Sequence, residues 1–251
     1  MFQVTPPSEP GRFYPDSYHA PPAAFENLVG AEGWKVELVR EWAPGPRLVE
    51  VGPGMGAFAV AAARAALSVS TIEADPEAVE RLQSAHGISS ICSSEPHEAL
   101  PRDATLDAVV GWHVVEHLPD PCALLEAAAE SLVVGGALFL AAPNPGALGF
   151  RMLGARWPHV DAPRHVQLLP SRLLVERAGA HGLQAVSCTT DDEGARHWNA
   201  FSWRRALSPA GSGITRRAIA RGAGPVLTFL AAPLERRPGQ GSAYTLVLRR
   251  M

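Results

Sequence analysis

Leu48-Val-Glu-Val-Gly-Pro-Gly-Met-Gly56, followed by Ala57-Phe-Ala-Val-Ala-Ala-Ala-Arg64, decides the fold. An apolar run enters three glycines at alternate positions, and an alanine-rich stretch leaves them. This is the pattern of a buried strand, a tight turn and a helix start. Glycines at such a turn let a ligand press against bare backbone, and the helix start aims its N–H groups at it. The stretch predicts a small-molecule cofactor site.

The alternation continues downstream. Val69–Glu73 reads as a second strand, and Asp75 caps a second helix that has Pro76 at its first position. Ile88–Cys92 is a third strand and Leu106–Trp112 a fourth, an apolar run of the kind a doubly covered parallel sheet needs. Pro121–Leu132 is a helix closed by Gly135-Gly136, and Ala137–Ala141 a fifth strand. Ser171–Ala180 reads as a helix capped by Ser171, Leu183–Thr189 as a strand and Ala243–Leu248 as the last strand. Such β/α alternation predicts an α/β fold with helices on both faces of a parallel sheet.

Outside that core, residues 1–20 read as an irregular arm and 22–42 as one or two short amphipathic helices stopped by Pro44-Gly-Pro46. Residues 191–241 hold an aromatic segment, Trp198 to Trp203, and a helical stretch, Ile214 to Leu234. An insertion this long predicts a lid. The expected division is 1–45 arm and helical cap, 46–190 core, 191–241 lid and substrate-binding insertion, and 242–251 final core strand.

Hydrophobic residues make up 47%, charged residues 19%, and the net charge is -3, which gives no global pull toward nucleic acid or a membrane. Cys92, Cys122 and Cys188 form no CxxC pair and read as reduced, mostly buried thiols of a cytoplasmic protein. The start lacks a basic region followed by an apolar one, so no signal peptide is evident. The apolar stretch Gly222 to Leu234 holds two prolines and is too short to span a bilayer. Monomer and homodimer both remain open.

Gly52-Pro-Gly-Met-Gly-Ala57 satisfies G-x-G-x-x-G/A, and Glu73 stands where an acid would meet a ribose. NAD and S-adenosylmethionine both carry that ribose. Glu50 separates them, because an anion beneath the turn serves a pyrophosphate poorly and a cationic sulfonium well. An NAD(P)-dependent oxidoreductase stays open as the alternative, as does a non-catalytic cofactor binder.

With these residues in place, a known group comes into view. The glycine turn, Thr71-Ile-Glu-Ala-Asp-Pro76, and Leu106-Asp-Ala-Val-Val-Gly-Trp-His-Val-Val-Glu-His-Leu-Pro-Asp-Pro121 resemble class I S-adenosylmethionine-dependent methyltransferases, most of all the ubiquinone-biosynthesis-like family. Pro143-Asn-Pro, Trp157, Asp161-Ala-Pro-Arg-His165 and Leu168 are similar to a subgroup of it, and Tyr14-Pro-Asp-Ser-Tyr18 to that subgroup's lead-in. The resemblance implies a Rossmann-like three-layer sandwich whose seven-stranded sheet has the order 3-2-1-4-5-7-6, the last strand antiparallel. It implies that Glu50, Gly52, Gly54 and Gly56 form the wall under the methyl donor and that Glu73 takes the ribose. Trp112 and His113 would flank the sulfur, Ser94 or Glu95 would replace the usual acid at the adenine, and Tyr14 and Tyr18 would fold over the cofactor.

The implied reaction is methyl transfer from S-adenosylmethionine to a small-molecule acceptor, with oxygen favoured over nitrogen or carbon. A hydroxyl acceptor benefits from a general base. His113, Glu116, His117 and His165 all fall on loops at the carboxyl ends of strands, where ligands bind in open α/β sheets. His113 is the first choice as base, His165 and Glu116 are further catalytic candidates, and His117 is expected to pin its loop. His113-Val-Val-Glu-His117 also matches the zinc-peptidase pattern H-x-x-E-H, but that pattern requires a helix, and prolines follow here. A divalent ion held by Glu116 and His117 ranks below a metal-free site. Arg164 offers a planar fork for an anionic substrate. Trp157, His165 and Asn144 complete the expected acceptor pocket.

Overall fold

The computed structural model describes residues 2–5, 22–208 and 213–251. Its sheet comprises β1 (Arg47–Val51), β2 (Ser68–Glu73), β3 (Ser89–Cys92), β4 (Leu106–Trp112), β5 (Leu132–Pro143), β6 (Leu183–Thr189) and β7 (Ala243–Arg250). They lie in the order β3-β2-β1-β4-β5-β7-β6. The first five are parallel, and β7 runs antiparallel to both β5 and β6. The order reverses beside β1 and β4, and a crevice at such a reversal is where open α/β sheets bind ligands.

Side chains of one strand alternate between two faces, and that alternation builds two cores. On one face Val49, Val51, Val109, Leu138 and Leu140 pack with Leu124 and Leu125 of α6 (Pro121–Ser131) and Leu174 of α8 (Ser171–Gly179). On the other, Leu48, Val110, Trp112 and Phe139 meet Val36 and Val39 of α2 (Gly33–Trp42) and Phe58 and Ala62 of α3 (Ala57–Arg64). Below α3, α1 (Pro22–Ala31) and α4 (Pro76–His86) add Val29 and Leu82 to a third cluster. Full burial of a side chain such as Leu82 contributes roughly 1.5–3 kcal/mol.

Local signals account for several boundaries. The Asp75 carboxylate accepts the Glu77 N–H at 2.9 Å ahead of Pro76, as a helix start requires. Helix α2 ends at Trp42, ahead of Pro44. Strand β5 starts earlier than the expected Ala137: Leu132 already pairs with Leu106, and regular pairing resumes at Ala137 opposite Ala108. The residues between them bulge out, with Gly135 at φ +84°. Helix α8 is preceded by Pro170, and Ser171 makes no capping bond.

The cysteines depart from expectation more sharply. Cys92 and Cys188 are exposed and Cys122 is half-buried. The first two sit on β3 and β6, the outer strands of the sheet, where one flank pairs with no strand among the described residues.

Between β6 and β7 the chain forms α9 (Glu193–Leu207) and α10 (Ile214–Glu235). The Asn199 Oδ1 accepts the Ser242 N–H, and Trp203 Nε1 donates to Glu235, so the pair is fastened to the end of β7 and to itself. Ile214, Phe229 and Leu230 of α10 are exposed. No helix among the described residues is long and apolar enough to cross a membrane. Near the start of the chain, Phe2–Gln3 pairs antiparallel with Gln167–Leu168, a two-stranded ribbon that the irregular-arm expectation did not foresee.

Candidate functional site

The glycine turn links β1 to α3. Gly52, Gly54 and Gly56 have φ of +65°, +56° and +83°, a region that L side chains rarely adopt. At Gly52 and Gly56 there is no room either: an added Cβ would lie 2.7 Å from Val114 Cγ2 and 2.3 Å from Leu82 Cδ2. A Cβ added at Gly54 would meet no atom within 4 Å among the described residues. The outer two glycines let the turn pack down, and the space beside the middle one is open.

Glu73 ends β2 beside this turn. Its carboxylate accepts the N–H groups of Gly54, Ala74 and Asp75 at 2.9, 2.7 and 3.0 Å. Glu50, beneath the turn, is buried, and its Oε2 has no hydrogen-bond partner among the described residues. Burial lifts its pKa to about 8 against the pull of Lys35, while Glu32 and Glu73 push it further up. A neutral acid at neutral pH is what an anion without a sufficient cation becomes.

The cation side of this balance comes from the start of α2, which the sequence reading did not place in the site. Lys35 pairs with Glu32, and its Nζ lies 5.0 Å from the centre of the Trp112 ring. Trp112 is buried, with Phe58 at 5.4 Å and Trp34 at 6.1 Å between ring centres. Its indole faces the α2–α3 side of the sheet, and its Nε1 is buried without a partner among the described residues. A cleft of about 690 Å³ between α2 and β6–β7, lined by Trp34, Leu38 and Val247 among others, touches none of the turn residues.

Past β4 the chain turns over a cluster of ionisable side chains. His113 has φ +59°, held there by its N–H bond to Ala141 O. Non-glycine residues in that region are strained, and such strain gathers at functional sites. Its Nδ1 lies 3.3 Å from Glu116 Oε1. Glu116 is 1% exposed. Burial drives its pKa up, but His113, His117 and His165 together outweigh that and hold it below the ordinary carboxylate value.

His165 arrives from a distant loop. Val166 and Gln167 donate their N–H groups to Glu116 O, and the His117 ring contacts Arg164 O, so the two loops are stitched together. The His117 and His165 rings meet edge-on at 4.8 Å between centres. His159 lies behind them, its Nε2 at 2.9 Å from Ser202 Oγ. Burial, aided by the His113 charge, lowers its pKa to about 3, so its ring is neutral.

Aromatic rings close this end. Trp198 of α9 meets the His113 ring at 4.7 Å between centres, tilted by 56°, and the His159 ring edge-on at 5.2 Å. Trp157, 1% exposed, packs against His159 and Phe150. Sequence reading placed the Trp198 segment in the lid insertion and passed over His159. The signal was present in the sequence, since His159 stands two residues beyond Trp157 in the segment already singled out.

Other expected residues fall elsewhere or serve the scaffold. Arg164 pairs with Asp161. Asn144 spends its amide on Gly239 O, Gly241 O and the Gly146 N–H, tying β5 to the approach to β7. Ser94 and Glu95 are exposed past β3, where the Glu95 N–H bonds Ser93 Oγ. Tyr14 and Tyr18 lie outside the described residues.

Three kinds of relative match this arrangement. The family described as "Methyltransferase domain" matches residues 31–188. A ubiquinone biosynthesis O-methyltransferase of Xanthomonas campestris pv. campestris is 34% identical over 121 residues, covering 45% of this chain and 51% of that protein. The chain thus spans about half the length of the curated relatives it matches. Among solved structures, an S-adenosylmethionine-dependent methyltransferase of Mesorhizobium loti superposes with a TM-score of 0.59 at 19% identity, covering 89% of this chain and all of that one. A putative sarcosine dimethylglycine methyltransferase of Galdieria sulphuraria gives 0.59 at 15% identity, with 91% and 85% covered. Likeness at these identities shows the fold.

Proposed function

We propose, because the chain belongs to the family of class I S-adenosylmethionine-dependent methyltransferases, that it transfers a methyl group from S-adenosylmethionine to a hydroxyl oxygen of a small molecule. The observation that carries this reading is the clear space over Gly54, walled by Glu73 and underlain by the neutral, buried Glu50. Glu73 would exchange backbone N–H groups for ribose hydroxyls. Glu50 would ionise when the donor's positive charge arrives, because a nearby cation lowers a carboxyl pKa. A dinucleotide's pyrophosphate would meet that acid as a liability, which argues against the oxidoreductase alternative.

Methyl transfer needs acceptor, methyl and sulfur in line, with water kept out. A donor over Gly54 would lie at the carboxyl ends of β1 and β2, and β4 ends with His113 at the same edge. His113 would take the acceptor's proton, with Glu116, 3.3 Å from its ring, stabilising the charge that results. Trp198 and Trp157 would wall the acceptor space, with α9 and α10 as its lid. Oxygen as acceptor is supported by the name of the Xanthomonas relative, an O-methyltransferase. The three free thiols support a cytoplasmic setting, and the protein would act there as a monomer or homodimer without nucleic acid.

Calorimetric titration with S-adenosylhomocysteine tests the reading. One-site binding is expected, followed by product formation with a panel of phenolic and aliphatic hydroxyl acceptors. Failure of the unaltered protein to bind overturns the donor assignment.

A further inference from the structure

We propose that Lys35 holds, in the ligand-free protein, the place of the donor's positive charge, and so sets the preference of the site between the cationic donor and its neutral product. The proposal rests on the methyl-transfer reading and adds to it a cause for product release.

The start of α2 brings the Lys35 ammonium to a position made for one cation. Glu32 Oε2 lies 2.5 Å from its Nζ, and the two side chains are only 19% and 16% exposed. The centres of the Trp112 and Trp34 rings lie 5.0 and 5.8 Å from Nζ. Indole faces are electron-rich and draw a cation at such distances. Glu50 stands two residues beyond Leu48 on β1, so it points to the same face of the sheet as Leu48 and Trp112. Burial raises its pKa, and among the neighbouring charges Lys35 opposes that rise most. Two acids and two indoles thus surround one positive charge, and the chain's own lysine supplies it.

Trp112 and Glu50 are also the groups that a sulfonium over the glycine turn would meet. Two cations beside one buried carboxylate repel each other, so Lys35 must yield the place when the donor binds. Its flexible four-carbon stem allows this. A donor carboxylate brought to the Lys35 Nζ would face Glu32 and Glu50 at once, which argues against Lys35 as an anchor for that group. Transfer moves the methyl to the acceptor oxygen, whose proton goes to His113, and leaves the bonding electron pair and no charge on sulfur. Lys35 then has no rival for the place, and its return favours release of the product.

The test compares calorimetric titrations of the full chain with S-adenosylmethionine and with S-adenosylhomocysteine, for the unaltered protein and for Lys35→Met, Lys35→Gln and Lys35→Arg. Lys35→Met and Lys35→Gln remove the charge, and each should tighten S-adenosylmethionine at least ~5-fold relative to S-adenosylhomocysteine. Lys35→Arg keeps the charge and should keep the ratio of the unaltered protein. Damage to packing weakens both ligands together, so the ratio reads the charge alone. A ratio unmoved in both charge-free variants overturns the proposal. That includes an equal loss of both ligands, the result expected if Lys35 held the carboxylate they share. Binding of neither ligand by the unaltered chain overturns the donor reading and this proposal with it, whereas an unmoved ratio overturns this proposal alone.

Discussion

The Glu73 carboxylate holds the Gly54 N–H at 2.9 Å, so the end of β2 fixes the turn that follows β1. In the proposed function the same side chain would also bind the donor's ribose. Glu73→Ala should weaken S-adenosylhomocysteine binding at least ~10-fold, the equivalent of about 1.4 kcal/mol. Normal calorimetric affinity in the folded variant would remove Glu73 from the ribose site.

Glu50 makes stability depend on pH. Its pKa is raised to about 8 in the folded, ligand-free protein, so the fold favours its protonated form. That contribution is complete below the ordinary glutamate value and is lost as pH rises toward about 8, with a slope of up to ~1.4 kcal/mol per pH unit. Melting curves across pH 5 to 8 should therefore fall for the unaltered chain and stay flatter for Glu50→Gln. Equal slopes would show that Glu50 is already ionised.

The glycines separate folding from binding. Gly56→Ala places a Cβ against Leu82 at a positive φ and should destabilise the protein by roughly 1–3 kcal/mol, read as a lowered denaturation midpoint. Gly54→Ala meets open space, so its cost is about 1 kcal/mol of backbone strain. Its effect on S-adenosylhomocysteine affinity should be larger than its effect on stability. The reverse ordering would mean that the ligand does not lie over Gly54.

His113→Ala should slow transfer to a hydroxyl acceptor roughly 100-fold or more, the usual loss when a general base is removed. Donor binding should stay within a few-fold of normal. A rate that does not change would assign catalysis to alignment alone.

Asp107 accepts the backbone N–H and the Nε of Arg47, and that guanidinium holds its pKa below the usual carboxylate value. A lowered folded pKa stabilises above the unfolded value and loses that effect as pH falls. Asp107→Asn should therefore melt lower than the unaltered chain at neutral pH, with the gap closing below about pH 3.8. A gap that persists in acid would mean that the carboxylate charge is not what Arg47 recognises.

Much of the frame could be read from sequence because its signals are local. Alternating apolar strands, the Asp75-Pro76 helix start and the glycine turn each depend on a few neighbouring residues. The features that escaped are long-range. Nothing near Phe2 announces its pairing with Leu168, and nothing near Lys35 announces Glu50 and Trp112. Asn144 reads as a loop residue of the site, yet its amide is consumed by carbonyls some 95 positions away. The histidines were found, but their protonated nitrogens become visible only once Arg164 O and His159 O are in place.

Cys92 and Cys188 occupy the two outermost strands of a seven-stranded sheet. Six steps between neighbouring strands separate those strands, on the order of 25–30 Å at ~4.8 Å each. A disulfide needs Cα atoms within about 7 Å. Oxidation can therefore join these two thiols only between separate molecules, and probes attached to both would measure the full width of the sheet from rim to rim.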